Sequence, residues 1–264
     1  MAEKNEVYRT LEQKIRKSME QNPLLYALHM LPETDSTNRV AKELAKNGAP
    51  EGTLVVAGRQ SMGRGRLGRS FFSPEGGIYM SLVLRPRIAP EQAVLVTTCA
   101  AVAVARAIEK ICGEAAGIKW VNDIFVNGKK VCGILAEAGF GEEATQPDYI
   151  ILGIGINVEC QSVPEELKGI VGCLEDGKTK SLSKADLISG VWEEFGLLYR
   201  NLSTAVYMEE YKKRSILVGK EVTVYSAEGD YKAVVTDIDS AGHLILNRQG
   251  EILKISAGEI SVRL

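Results

Sequence analysis

The stretch that most limits the fold of this chain is "IKWVNDIFVNGKKVCGILAE", residues 118–137, because it sets Asn-Gly at 127–128 between two apolar runs. A two-residue hairpin turn of type I′ needs positive φ at both central positions, and Asn followed by Gly meets that need at least steric cost. The pair predicts antiparallel strands on either side, so the chain must build a sheet around this point. With Asn127 and Gly128 as the turn, Val126 is expected opposite Lys129, Phe125 opposite Lys130, Asp123 opposite Cys132 and Lys119 opposite Ala136. Side-chain alternation then sets Lys119, Asp123 and Lys130 on one face, together with Val121, Cys132 and Ile134. Two cations and a carboxylate beside apolar residues need paired partners if that face is buried. Either the face is solvated and its charges neutralise one another, or it is a site for a negatively charged ligand, with a divalent metal on Asp123.

A second stretch, "GRGRLGRS" (63–70), satisfies both G-x-G-x-x-G and a phosphate-loop pattern with Arg69 in place of lysine. Both of those nucleotide sites need a strand before the glycines and a helix opening directly after them, since the helix N-terminus supplies half of the anion site. "TLVVAGRQ" (53–60) reads as the strand, but Pro74, Gly76 and Gly77 follow as a turn and 78–84 as another strand. Without the helix both readings lose their basis. What is left is a glycine-rich loop whose backbone can approach a ligand closely and whose arginines suit phosphate or carboxylate. A third stretch, "ILGIGINV" (151–158), is an apolar strand interrupted by Gly153 and Gly155. Glycine there marks close approach of a ligand or another backbone, or else a bulge beside a packed helix.

Around these stretches the hydrophobic periods alternate between helix and strand. Val7, Leu11, Ile15 and Met19 recur every four residues and predict a short amphipathic helix. "DSTNRVAKELAKNG" (35–48) offers Asp35, Ser36 and Thr37 as N-caps, an apolar face of Val40, Ala41, Leu44 and Ala45, and Gly48 as its stop. Strands at 53–60 and 78–85, a helix at 91–111 and strands at about 116–126, 129–138 and 149–158 mix hairpins with helices. That order predicts an α+β fold, a mixed β-sheet with helices packed on one face. Further helices are read at 182–202 and 206–215. From about 216 short β-rich runs with turns at Glu228-Gly229, Ala241-Gly242 and Gln249-Gly250 predict a small barrel-like β domain. The expected organisation is a helical extension (1–22), a large domain (23–215) and a small one (216–264).

Lys+Arg 32 against Asp+Glu 34 leaves a net charge of −2, which removes any general electrostatic reason to coat nucleic acid or an anionic membrane. The five cysteines are widely spaced with no C-x-x-C, so reduced thiols in a cytoplasmic protein, and no zinc, are expected. The first twenty residues are charged throughout and lack the apolar core of a signal peptide. The most apolar stretch, 93–108, contains Thr97, Thr98 and Arg106 and is shorter than the ~20 residues a bilayer span needs.

Taken in order, "DSTN", "GRQSMGRGRLGRSFFSP", "KWVNDIFVNGKKVCGIL", "GIGINV" and the terminal "AGEISVRL" resemble the biotin protein ligases, from about Leu31 to the end of the chain. The resemblance implies a biotin/lipoate ligase-like catalytic domain followed by a small SH3-like β-barrel. It also implies a two-step reaction: biotin and ATP, with Mg²⁺, give biotinyl-5′-AMP and pyrophosphate, and a lysine of a biotin carboxyl carrier protein then takes the biotinyl group. By matching position, Ser36, Thr37, Asn38 and Gln60 would line the biotin pocket, and Arg64, Gly65 and Arg66 would lie in a loop that closes over it. Lys130 would bridge the biotin carboxylate and the α-phosphate, making Lys130 and Arg66 the catalytic residues. Lys119, Asn122, Asp123 and Asn157 would face the nucleotide, with Asp123 as the metal ligand. Phe71, where members commonly carry Trp, would cover the adenine, and Glu259 and Arg263 would come back from the small domain toward the active site. Trp120 is read as a packing residue.

The usual K-W-P-N-D has Val121 in place of proline here, which frees the backbone and restores an N–H. Some members add a winged helix and repress the biotin operon. The twenty or so residues before the catalytic segment are too few for that fold, so no DNA partner is expected, and no membrane partner either. A homodimer through an exposed sheet edge is compatible with the pattern. The nearest rival is a lipoate or octanoate ligase or transferase of the same fold, against which the R-G-R loop together with K-W-x-N-D argues. A nucleic-acid-binding module built on the small barrel is opposed by the near-zero net charge.

Overall fold

Asn127 and Gly128 sit at φ 50° and 76°, the two positive values a type I′ turn demands, and the hairpin they close lies one strand in from the edge of a seven-stranded sheet. The computed structural model describes residues 2–141, 145–159, 163–176, 181–225, 229–256 and 261–263, with the backbone alone at 2–7 and 261–263. Helix α1 (Ala2–Met19) and strand β1 (Ala27–Leu31) lead into α2 (Thr37–Lys46), β2 (Thr53–Ala57) and β3 (Ile78–Leu84). Helix α3 (Ala93–Cys112) precedes β4 (Gly117–Lys119), β5 (Asp123–Val126), β6 (Lys129–Gly139) and β7 (Tyr149–Ile156). Helices α4 (Lys184–Tyr199) and α5 (Met208–Lys213) are followed by β8 (Glu221–Tyr225), β9 (Tyr231–Ile238), β10 (Leu244–Arg248), β11 (Glu251–Ile255) and β12 (Ser261–Arg263).

The large sheet runs β1-β2-β3-β7-β6-β5-β4, with β1 parallel to β2 and every other pair antiparallel. The small one runs β11-β10-β9-β8-β12 and is antiparallel throughout. Strands β2 and β3 are buried at every residue, as their unbroken apolar sequences require. Alternate residues serve opposite faces: Val56, Leu82 and Leu152 join the core under α3 and α4, while Val55, Val83 and Ile151 pack beneath Ala41 and Ala45 of α2. Helices therefore cover both faces, not one. Helix α2 is only ten residues long and covers part of its face, which leaves the rest of that face open.

Two expectations about the hairpin change. The run 116–126 is not one strand, because Lys119 pairs with Asp123 across a turn at 120–122. The register also slips between Ile124 and Phe125, so Asp123 lies opposite Gly133 and Ile124 opposite Cys132. This bulge reverses the alternation along β6. Cys132 and Ile134 enter the core, while Lys130 stays on the open side with Gly133.

Cys99, Cys112 and Cys132 are free thiols, but Cys173 is held in a disulfide, which departs from five reduced cysteines. Spacing along the chain does not report which side chains folding brings within bonding distance; Cys160 lies outside the described residues. Among the described residues no helix is long and apolar enough to cross a membrane.

Candidate active site

The arginine-glycine stretch folds back on itself instead of opening a helix. Gln60 N donates to Ser73 O at 3.0 Å, Phe71 N to Gly63 O at 2.9 Å and Gly65 N to Arg69 O at 2.7 Å. At its tip Leu67 and Gly68 take φ 55° and 72° within a single 3₁₀ turn. Its base is tied to the start of α2, because Ser61 N and Met62 N donate to Thr34 O and Asp35 O. Gly63 is required there: a Cβ would lie 2.3 Å from Phe71 O.

The floor facing this loop is made of backbone. A Cβ on Gly155 would come 2.4 Å from the Phe71 ring, one on Gly133 2.9 Å from it, and one on Gly153 2.0 Å from Asn38 Oδ1. Strand β7 pairs regularly through both of its glycines, so they mark close approach and not a bulge. Phe71 lies flat on that floor and receives the Lys130 ammonium 5.9 Å above its ring centroid.

The charged groups converge from three elements. Lys130 Nζ lies 2.6 Å from Asp123 Oδ1, both side chains about three-quarters buried. Arg66 Nη1 donates to Asn122 Oδ1 at 3.2 Å, and burial pushes the Arg66 guanidinium pKa down while Asp123 opposes the shift. Arg64 reaches Glu137 at 3.4 Å, and Lys119 sits 6.0 Å over the Phe125 ring. Asn122 is locked to β6, donating from Nδ2 to Ile134 O while its own O accepts from Ile134 N.

Ser36, Thr37, Asn38, Gln60, Arg64, Gly65, Arg66, Phe71, Lys119, Asn122, Asp123 and Lys130 all line one cavity of about 180 Å³. Trp120 lines it too, and its indole N–H donates to Gly242 O of the small domain at 2.9 Å. Asn157 is not in the wall; its backbone joins Val131 and Leu174 beside it. Arg263 lies in β12, where only the backbone is described, and Glu259 falls outside the described residues. With five cations, Arg64, Arg66, Arg69, Lys119 and Lys130, against the one carboxylate of Asp123, the wall suits an anionic ligand.

Asp123 Oδ1 is buried, and the Lys130 ammonium pairs with it at 2.6 Å. Among the described residues no group of three or more His, Cys, Asp or Glu could hold a metal alone. A single carboxylate fits Mg²⁺ that arrives on phosphates, because that ion commonly takes one or two carboxylates and leaves its other positions to substrate and water.

Three polar residues escaped the sequence reading. Ser81, fully buried in β3, contacts Thr37 and Asn38; Ser73 accepts from Gln60 Nε2 at 3.0 Å; and Glu137 accepts from Asn38 Nδ2 at 2.7 Å. A lone serine inside the apolar run "IYMSLVL" was the available signal for the first.

Comparison with known proteins agrees with this geometry. The Biotin/lipoate A/B protein ligase family model matches residues 30–157, and the Biotin protein ligase C terminal domain model matches 217–263. Bifunctional ligase/repressor BirA of Bacillus spizizenii is 39% identical over 233 residues, spanning 86% of this chain and 71% of that protein. The biotin–acetyl-CoA-carboxylase ligase of Paracoccus denitrificans is 30% identical over 88% of this chain and 98% of its own. A solved biotin protein ligase from Aquifex aeolicus, in complex with biotin and ATP, superposes with a TM-score of 0.77 at 30% identity, covering 90% of this chain and 99% of that one. With both family models matched in order and relatives similar across most of its length, this chain belongs to the biotin protein ligase family.

Proposed function

We propose that this ligase activates biotin with ATP, forming biotinyl-5′-AMP and pyrophosphate, and then passes the biotinyl group to a lysine of a biotin carboxyl carrier protein. The observation that supports this most directly is the meeting, in one cavity, of the arginine-glycine loop and the Lys130–Asp123 hairpin beside the polar group Thr37, Asn38 and Gln60. Adenylation brings a carboxylate against a triphosphate and spreads charge in the transition state, so it calls for fixed cations and exclusion of water more than for a side-chain nucleophile.

In the first step a biotin carboxylate oxygen bonds to the α-phosphorus, and the bond to pyrophosphate breaks with its electron pair. Lys130 stands between the two anions; in the free enzyme Asp123 holds its ammonium in place. Arg64, Gly65 and Arg66 close over the product, and Lys119, Asn122 and Phe71 face the nucleotide. Asp123 would hold Mg²⁺ brought in on the nucleotide, and the ion would supply further charge neutralisation there. In the second step the acceptor amine attacks the acyl carbon, AMP leaves, and the amine proton passes to solvent.

The test is exchange of labelled pyrophosphate into ATP with biotin, repeated with lipoate. Exchange that depends on biotin is expected. Exchange with lipoate alone would hand the site to the rival acyl ligases.

A further inference from the structure

Ser81 Oγ lies 2.7 Å from Thr37 Oγ1 and 2.6 Å from Asn38 Oδ1, and Thr37 Oγ1 lies 3.0 Å from Gln60 Oε1. These are three close oxygen–oxygen contacts, yet Ser81 and Thr37 bring only two hydroxyl protons. The cluster is one proton short.

Where the shortage falls is decided elsewhere. Glu137 Oε2 lies 2.7 Å from Asn38 Nδ2, and a carboxylate only accepts, so the Asn38 amide must point its NH₂ at Glu137 and its oxygen at Ser81. The Ser81 proton therefore goes to Asn38, and the one Thr37 proton goes to Ser81, because that oxygen pair is at 2.7 Å, the length of a made O–H···O bond, against 3.0 Å to Gln60. At the far end Gln60 is oriented independently, since its Oε1 receives Thr37 N–H at 2.8 Å and its Nε2 donates to Ser73. The unserved contact is thus the one between Thr37 Oγ1 and Gln60 Oε1. Both of these residues line the cavity, whereas Ser81 and Glu137 do not.

We infer that Glu137 is a positioning residue: through Asn38 and Ser81 it sets the direction of every proton in this chain, so that Thr37 and Gln60 present lone pairs and the pocket selects a ligand carrying an N–H donor. This rests on reading the pocket as the biotin site, and it adds why a ring urea is accepted where an acyl chain without N–H is not. Leaving a buried acceptor unpaired is the penalty for the wrong ligand. Glu137 also pairs with Arg64, which ties the same carboxylate to the loop.

The experiment compares wild type with Glu137→Gln by biotin-dependent pyrophosphate exchange, using biotin and biotin methylated on its ring nitrogens. A glutamine can donate to Asn38 Oδ1, which lets the amide turn and reverses the chain. The KM for biotin should rise about tenfold or more with kcat nearly unchanged, and the preference for biotin over the methylated analogue should narrow. Asn38→Asp alone sets two carboxylates together and should weaken binding. Combined with Glu137→Gln, it restores an acceptor for Ser81 and should recover most of the loss. If Glu137→Gln does not fold, as judged by circular dichroism, Ser81→Ala removes the proton carrier without touching Arg64 and should give the same KM rise and narrowed preference. An unchanged KM and preference in the folded variant, or a double variant no better than Glu137→Gln, overturns the inference. A wild-type enzyme with no biotin-dependent exchange fails the biotin reading instead, which is seen before any variant is compared.

Discussion

Ser81, beneath the cavity floor, is wholly buried, whereas Leu67 at the tip of the loop opposite is 58% exposed. On the floor, glycines are used because a ring or an amide presses on the backbone; at the loop tip Gly68 serves a turn, and a Cβ there would meet nothing. The floor's polar groups hold one another at 2.6–3.0 Å. The loop's arginines reach across by longer contacts, 3.2 Å from Arg66 to Asn122 and 3.4 Å from Arg64 to Glu137. Buried hydrogen bonds are expensive to leave unmade, so the floor keeps its geometry with or without ligand. The exposed Arg64–Glu137 pair contributes only ~0–1 kcal/mol, so that contact can be remade at little cost. Selection is thereby assigned to the rigid side and closure to the movable side.

The sharpest break in this division is Lys130→Ala. Lys130 stands between floor and loop, and its loss should lower pyrophosphate exchange by roughly 10²–10³-fold, the scale of one preorganised charge-stabilising group. A fall of less than tenfold would mean the loop arginines can do its work. Next in size, Gly155→Ala should cost about 1–3 kcal/mol in denaturant unfolding, since its Cβ must displace the Phe71 ring. Adding Phe71→Ala should relieve part of that loss; if the two costs simply add, the ring and the glycine are not in contact. Arg66→Ala should speed release of biotinyl-AMP by about tenfold while disturbing exchange less, because one charge-assisted contact is worth ~1.5–3 kcal/mol. Equal release rates would show that closure does not use Arg66.

The smallest effect concerns the base of the loop. The Arg39 hydrogen bond, helped by Ser36 N–H, holds the Asp35 carboxyl below its ordinary value of 3.8. A lowered folded pKa means that Asp35 adds stability above that ordinary value and loses it as pH falls through the folded one. Asp35→Asn should therefore flatten the acid limb of an unfolding-midpoint profile taken from about pH 5 downward. An unaltered limb would remove Asp35 from the anchoring of the loop base.

Much of this was legible in the order of residues. Positive φ at Asn127 and Gly128, the strands around the fully apolar runs and the absence of a helix after "GRGRLGRS" are local preferences, and local preferences travel with the sequence. The three charges of the hairpin do gather, although not by the expected register. Lys119 joins them from a separate strand, and the bulge carries Lys130 to their side. A one-residue slip flips every later side chain, and no composition rule locates it.

The sequence by itself determined the hairpin, the element order and the inventory of cations and glycines, because each depends on backbone torsions and periodicity within a few residues. Only the tertiary structure decided which face Lys130 takes, why Gly133 and Gly155 must be bare under Phe71, and that Glu137 meets Asn38 across 99 positions of chain. Those are contacts between segments distant along the chain, set by packing and by the demand that every buried polar group find a partner.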